Sequence, residues 1–480
     1  NGKKMSKSLG NYVSPDEVPA DLELPSDRDI GWDRGHEMPT IADEAQATYL
    51  AAATRILDEA APVLAAGAVG DDARAVLMKL ARRAFRRPLR DDELAELTAI
   101  CDQAAEHGAS PQAGLSSALR AVLTSPHFLQ RVEILPDPAA ADADPGNSQF
   151  ALASRLSFLL WSSLPDDELL DEAQQGTLAA HLETQAQRML RDPRARRLAV
   201  DFAGRWLGLN KEPRWYALDE ALEKSMRLET ELFVAAIVQE DRSVLEFLDA
   251  DYSFVDERLA KHYGLPGIHS PEMRRVSLAG TQRGGLLTQA CILTAMSASA
   301  GHSPVQRGKW VMENLLGTPP PAPPSGLLEA FAQTRKNFGP GTPRQIMEQH
   351  RAHESCAYCH AQMDALGIAL ENFDSLGAWR TQEYGRPIDA GVDLPSGERL
   401  DGPASVKAYL LQRKDMFIRC LSEKLLGQAL ARQLHESERQ SMAAIPALVA
   451  AADYRFSSVV MEVVRSETFQ RGWHRPLIGH

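Results

Sequence analysis

Apolar residues three and four apart recur through residues 42–63 and 71–85, the spacing that lays one stripe of an α-helix against a core. The second run stops at Pro88, because proline lacks an amide hydrogen and restricts the residue before it. Asp91-Asp92-Glu93 then supplies acidic first-turn residues for a helix to about His107, and Ser110-Pro111 opens another that ends near Ser125-Pro126. Residues 136–145, rich in Pro, Ala and Asp, have no periodicity and mark a boundary. Helical spacing resumes at 149–162, 178–191, 194–207 and 217–248, with little β-branched alternation. Residues 319–324 are proline throughout except for Ala322, which predicts an extended strap that ends the helix over 310–316. Beyond it, 403–431 and 438–470 read as amphipathic helix, with Val406, Leu410, Phe417, Leu421 and Leu425 on one face. The fold class this predicts is mainly α, with helical modules over 41–135, 148–275, 280–385 and 400–473 behind an irregular tail over 1–40.

Length and composition sharpen that picture. A chain of 480 residues holds two to four folding units at ~100–200 residues each. With 44 % apolar and 24 % charged residues it reads as globular, and a formal charge of −13 excludes a general affinity for nucleic acid, whose phosphates need a basic surface. No apolar run approaches the ~20 residues needed to span a bilayer. Acidic runs at Asp166-Asp167-Glu168 and over 220–231 read as solvated helix faces, and Trp161, Trp206 and Trp310 as core.

Five cysteines are too few for a disulfide framework, and Cys101, Cys291 and Cys420 sit singly in apolar helical surroundings as buried, inert thiols. Cys356 and Cys359 are a pair, and Cys356-Ala357-Tyr358-Cys359-His360 has the spacing of c-type haem attachment. Two thiols three residues apart on a helical turn reach neighbouring vinyl groups, and the next residue, His360, projects beneath the iron as its proximal ligand. A half zinc site would have to recruit His350 and His353 without the usual intervening loop, and a dithiol redox pair would need a βαβ setting that is missing. Candidates for the sixth position or a haem contact are His350, His353 and Met416, and an open sixth position is the other option. Met363, three residues beyond His360, lies on the proximal side and is discounted.

Beyond the pentapeptide, the run Met363-Asp364-Ala365-Leu366-Gly367-Ile368-Ala369-Leu370-Glu371-Asn372-Phe373-Asp374 and then Gly377-Ala378-Trp379-Arg380 resembles the planctomycete cytochrome-type multidomain proteins. Three further stretches of the chain are similar to modules of that family in its usual order. These are Phe85-Arg86-Arg87-Pro88-Leu89 with Ser125-Pro126-His127-Phe128-Leu129, then Ser154-Arg155-Leu156-Ser157-Phe158-Leu159-Leu160-Trp161 with Asp251-Tyr252-Ser253-Phe254-Val255, and finally Asp401-Gly402-Pro403 through Tyr454-Arg455-Phe456-Ser457-Ser458. The resemblance implies a C-terminal cytochrome-c-like helical haem region, covalent haem c, a periplasmic or cell-surface location, and a reaction that is not determined. Family members generally carry a further N-terminal cytochrome domain with its own haem motif, so the resemblance also implies that this chain is N-terminally truncated. Gln428-Ala429-Leu430-Ala431-Arg432 departs from the family run, which has a tyrosine there.

Residues 1–11, with Lys4-Met5-Ser6-Lys7-Ser8, are similar to the nucleotide loop of class I aminoacyl-tRNA synthetases, but the partner elements of that loop are missing and the tail is read as non-functional. The function expected is one-electron transfer outside the cytoplasm to a redox partner or small molecule of unknown identity. A haem-dependent oxidase or peroxidase acting on an organic substrate is the alternative, and a docking scaffold over 42–300 the third reading.

Overall fold

A computed structural model describes residues 43–67, 73–129, 145–209, 219–297, 303–321, 344–345, 347–348, 354–383 and 385–472. The synthetase-like tail, the linker over 136–144, residues 322–324 of the proline strap, and His350 and His353 lie outside the described residues, as do the side chains of Cys356 and Cys359. The fold is mainly α, as the periodicity predicts, with three small antiparallel strand pairs among the described residues. It divides into two units: Asn1–Arg194 with Leu426–Glu438 and Val463–His480, and Ala195–Leu425 with Arg439–Glu462.

In the first unit, helices Asp43–Gly67, Ala73–Phe85, Asp91–Glu106 and Pro111–Thr124 enclose a core of Leu57, Leu77, Phe85, Leu97, Leu115, Leu119 and Val122. Their ends are set by local chemistry. Ser110 Oγ accepts from the Ala113 amide at 3.2 Å and Glu93 accepts from the Arg90 amide at 2.9 Å, each satisfying a donor that a helix start leaves unmet. Arg86 stops the second helix in a left-handed conformation (φ 58°) and donates to the carbonyls of His127 at 2.6 Å and Phe128 at 3.3 Å. Two separated sequence motifs, residues 85–89 and 125–129, thereby close on each other.

Next in this unit come helices Pro145–Trp161, Asp167–Gln175 and Leu178–Arg191. Trp161 is buried as expected, its indole N–H donating to the Met189 carbonyl at 3.0 Å and its ring stacked 3.4 Å from the Arg194 guanidinium. Asp166 is not the solvated residue its neighbourhood suggests. It caps the Leu169 amide at 3.2 Å and pairs with Arg188 at 2.9 Å; burial pushes its carboxyl up, but those hydrogen bonds outweigh it and hold the group below its ordinary range. From the C-terminal segment, Phe469 offers its carbonyl to the buried Arg155, and Arg465 pairs with Glu183 at 2.6 Å.

The second unit is built around Phe202, Trp206, Phe233, Phe247 and Phe417, whose rings meet at offset or edge-on angles with Trp206 central. The periodic run over 217–248 is α-helical only over Glu220–Gln239, with a separate 3-10 turn over Val244–Phe247. No glycine or proline marks the stop. It is made by partners far along the chain: Asp241 turns left-handed (φ 48°), and its carboxylate accepts from the Ser457 amide and hydroxyl, both at 2.8 Å. The Val244 amide donates to the Tyr454 carbonyl at 2.8 Å, so residues 454–458 replace the next helical turn. A hairpin follows, Tyr252–Val255 paired antiparallel with Arg274–Ser277.

Two further helix ends differ from the sequence reading. The helix Pro304–Val311 runs into a π-helical turn, Met312–Leu316, and is stopped by Gly317 (φ 66°) before the prolines begin. The run over 403–431 is two helices, Gly402–Gln412 and Lys414–Leu430, with Val406, Leu410, Phe417, Leu421 and Leu425 all buried. At the break, Arg413 lies 3.6 Å from the Tyr409 ring and pairs with Glu398 at 2.6 Å.

Candidate functional site

Residues 356, 359 and 360 lie on one continuous helix, Glu354–Ile368, here termed the motif helix. It packs against the helix Pro304–Val311 in an approach that only missing side chains permit. A Cβ added at Gly308 would overlap the Met363 carbonyl oxygen, and one added at Gly367 would overlap the Pro304 carbonyl oxygen. Residues 304 and 308 on one helix meet 367 and 363 on the other, four apart on each, so the two backbones touch antiparallel through a reciprocal pair of glycine notches.

Beyond Ile368 the chain turns, and one buried side chain gathers the carbonyls of that turn. Arg307 gives Nη1 to the carbonyls of Leu370 and Phe373, each at 2.8 Å, and Nη2 to that of Asp374 at 2.5 Å. Burial lowers the Arg307 guanidinium from its usual value to about 10, partly offset by Glu371. The family-like residues 371–380 then fold into a tight loop. Asp374 accepts from the amides of Leu376 at 2.9 Å and Ala378 at 2.8 Å, and the Arg380 amide donates to the Asn372 carbonyl at 2.7 Å.

His360 sits on the motif helix with its Nδ1 3.0 Å from Asp364 Oδ1; Asp364, one turn on, is fully buried. Nδ1 is the ring nitrogen that faces the carboxylate, and Nε2 is the one on the far side of the ring. Asp364 was not singled out from the sequence, although its position four residues after His360 was the signal available. Met363 is buried beside the glycine notch. Met416 stands 38 % exposed near the start of the helix Lys414–Leu430. His350 and His353 are outside the described residues, and among the described residues no group of three or more His, Cys, Asp or Glu side chains is placed to hold a metal ion.

A second polar centre lies deeper in the same unit and was missed. Glu229 falls in the acidic run over 220–231 but is fully buried, accepting from Ser253 Oγ at 2.6 Å and Tyr263 Oη at 2.5 Å. Tyr263 in turn accepts from the Ala290 amide at 2.7 Å. The Arg283 guanidinium stacks 3.5 Å from the Tyr263 ring and donates to the carbonyls of Thr288 at 2.7 Å and Gly377 at 2.6 Å, tying this network to the loop that follows the motif helix. Burial raises Glu229 to about 7 against the pull of its hydroxyl donors, and burial together with Glu229 raises Tyr263 well above its ordinary value. The helix face is polar in sequence because one of its carboxylates is a core group.

Burial raises Cys291 and Cys420 to about 12, and Cys101 is half-buried and also raised. No described helix is long and apolar enough to cross a membrane.

Four family models match in tandem. Each is described as a protein of unknown function: DUF1595 over residues 72–133, DUF1592 over 148–265, DUF1588 over 283–383 and DUF1585 over 396–469. No curated protein and no solved structure matches the chain.

Proposed function

Because the chain belongs to the planctomycete cytochrome-type multidomain proteins, whose four tandem domains account for most of residues 72–469, we propose that it is a c-type haem protein acting outside the cytoplasm, with haem attached at Cys356 and Cys359 and His360 as proximal ligand. The observation that supports this most directly is the continuous helix Glu354–Ile368, which carries both cysteines and the histidine inside the DUF1588 match. Each thiol adds across a vinyl group, sulfur to one carbon and hydrogen to the other, so attachment needs no external oxidant. The adjoining imidazole offers Nε2, since Nδ1 is engaged by Asp364. Haem iron, when bound, alternates between two oxidation states and passes single electrons. The chain's own contribution is rigidity: the glycine notches and Arg307 fix the motif helix against its neighbour, so the imidazole keeps one position in both states.

The test is expression together with the haem-attachment machinery. Covalent haem that survives acid-acetone extraction, with a c-type α band on reduction, is the expected result; haem that extracts, or zinc bound to the free thiols, would overturn the assignment. Cyanide then separates carrier from enzyme. An unchanged Soret band fits a six-coordinate electron carrier, and a shifted band fits an exchangeable sixth position and a haem oxidase or peroxidase.

A further inference from the structure

The pair formed by His360 and Asp364 carries more than a helix contact. Most i,i+4 pairs on a helix are exposed, and each contributes only ~0.2–0.5 kcal/mol. Here the carboxylate is fully buried, so it has left water to face an imidazole at 3.0 Å, and it lies on the same helix and one turn from the residue that would bind iron. An imidazole that donates its second N–H to a carboxylate has a fixed tautomer, a fixed ring plane and a more basic coordinating nitrogen. A carbonyl acceptor does the first two but supplies no full negative charge.

We propose that Asp364 is a positioning residue that sets the reduction potential of the haem: its carboxylate, hydrogen-bonded to His360 Nδ1, pushes electron density onto Nε2 and stabilises the oxidised iron over the reduced. This deepens the haem reading and rests on it. The buried carboxylate would also act in the same direction through space wherever it carries charge, because the oxidised centre has one more positive charge than the reduced one. A merely structural pair would affect how firmly the helix holds together and leave the potential alone.

The experiment is potentiometric titration of the holoprotein in wild type, D364N and D364A, with thermal unfolding recorded on the same samples. Asp364→Asn keeps an acceptor for Nδ1 and removes the charge, so its potential is expected above wild type, and Asp364→Ala, which removes both, higher still. Coincident potentials in the three proteins, with covalent haem in each, would overturn the inference and leave the haem reading intact. Extractable haem in the wild type would overturn the haem reading and the inference with it. Should neither variant fold, the wild-type protein decides: after photolysis of its ferrous carbon monoxide complex, the iron–imidazole stretch is expected higher than for an imidazole donating to a neutral acceptor. A frequency in the neutral-acceptor range would refute the role of Asp364.

Discussion

The motif helix Glu354–Ile368 and the long helix Glu220–Gln239 are both anchored inside the second unit, and they are anchored by opposite means. The first is held by the absence of atoms: two glycines let backbone touch backbone, and one buried arginine collects the carbonyls beyond its end. The second is held by an added group, a buried carboxylate that gathers two hydroxyls and lies near a guanidinium. A steric anchor is indifferent to pH and intolerant of a methyl group. A polar anchor tolerates isosteres and answers to protons. The helix that would carry a redox centre has its closest contact made by backbone against backbone, with no titratable group in the notch itself.

That contrast can be broken experimentally at five positions. The largest effect is expected from Arg307→Ala, which leaves the Phe373 carbonyl without the donor it has now, takes one of two donors from the carbonyls of Leu370 and Asp374, and opens a cavity in a buried site; a loss of about 3–5 kcal/mol should appear in chemical denaturation, with reduced haem incorporation. Gly308→Ala and Gly367→Ala should each cost about 3 kcal/mol, since the added methyl meets carbonyl oxygen and not a flexible side chain, and the loss should be the same at pH 5 and pH 8. Equal stability of the alanine variants and the wild type would remove the steric anchor from this account.

Glu229 supplies the pH-dependent counterpart. Its carboxyl binds a proton up to about 7 in the folded chain and only up to about 4.5 when unfolded, so between those values the native state holds the extra proton. Its contribution to stability is therefore complete below pH 4.5, declines as pH rises through that window, and levels off above about 7, a fall on the order of 3 kcal/mol. Glu229→Gln should flatten that part of the stability profile, measured by denaturant titration from pH 4.5 to 8; an unaltered slope would show that the decline comes from other groups. The smallest effect is expected at Ser253→Ala, which removes one of the two hydroxyl donors and should cost about 1 kcal/mol while moving the Glu229 transition to higher pH.

Much of the fold was legible because helices declare themselves locally. Ser110, Asp91 and Pro111 marked starts that the structure keeps, and the buried set Val406, Leu410, Phe417, Leu421 and Leu425 was correct even though the helix carrying it breaks at Arg413. The stops were less legible. The helix ends at Gln239 because Ser457 and Tyr454, more than two hundred residues away, engage the Asp241 carboxylate and the Val244 amide just beyond it. Gly317, not the prolines after it, ends the helix before the strap. At the site, the pentapeptide and His360 could be read directly, and Asp364 could have been, from its place one helical turn beyond.

By itself the sequence determined a mainly helical chain, the order of its modules and the segment on which its chemistry would sit, since spacing along a helix is fixed by the backbone and needs no partner. Only the tertiary structure decided which glycines are contact points and which carboxylates are core groups. Gly308 and Gly367 resemble any helical glycine until another backbone lies against them, and Glu229 resembles its solvated neighbours until Ser253, Tyr263 and Arg283 arrive from elsewhere in the chain. The physical reason is that packing and desolvation depend on what lies across the contact, and sequence periodicity describes only the near side of it.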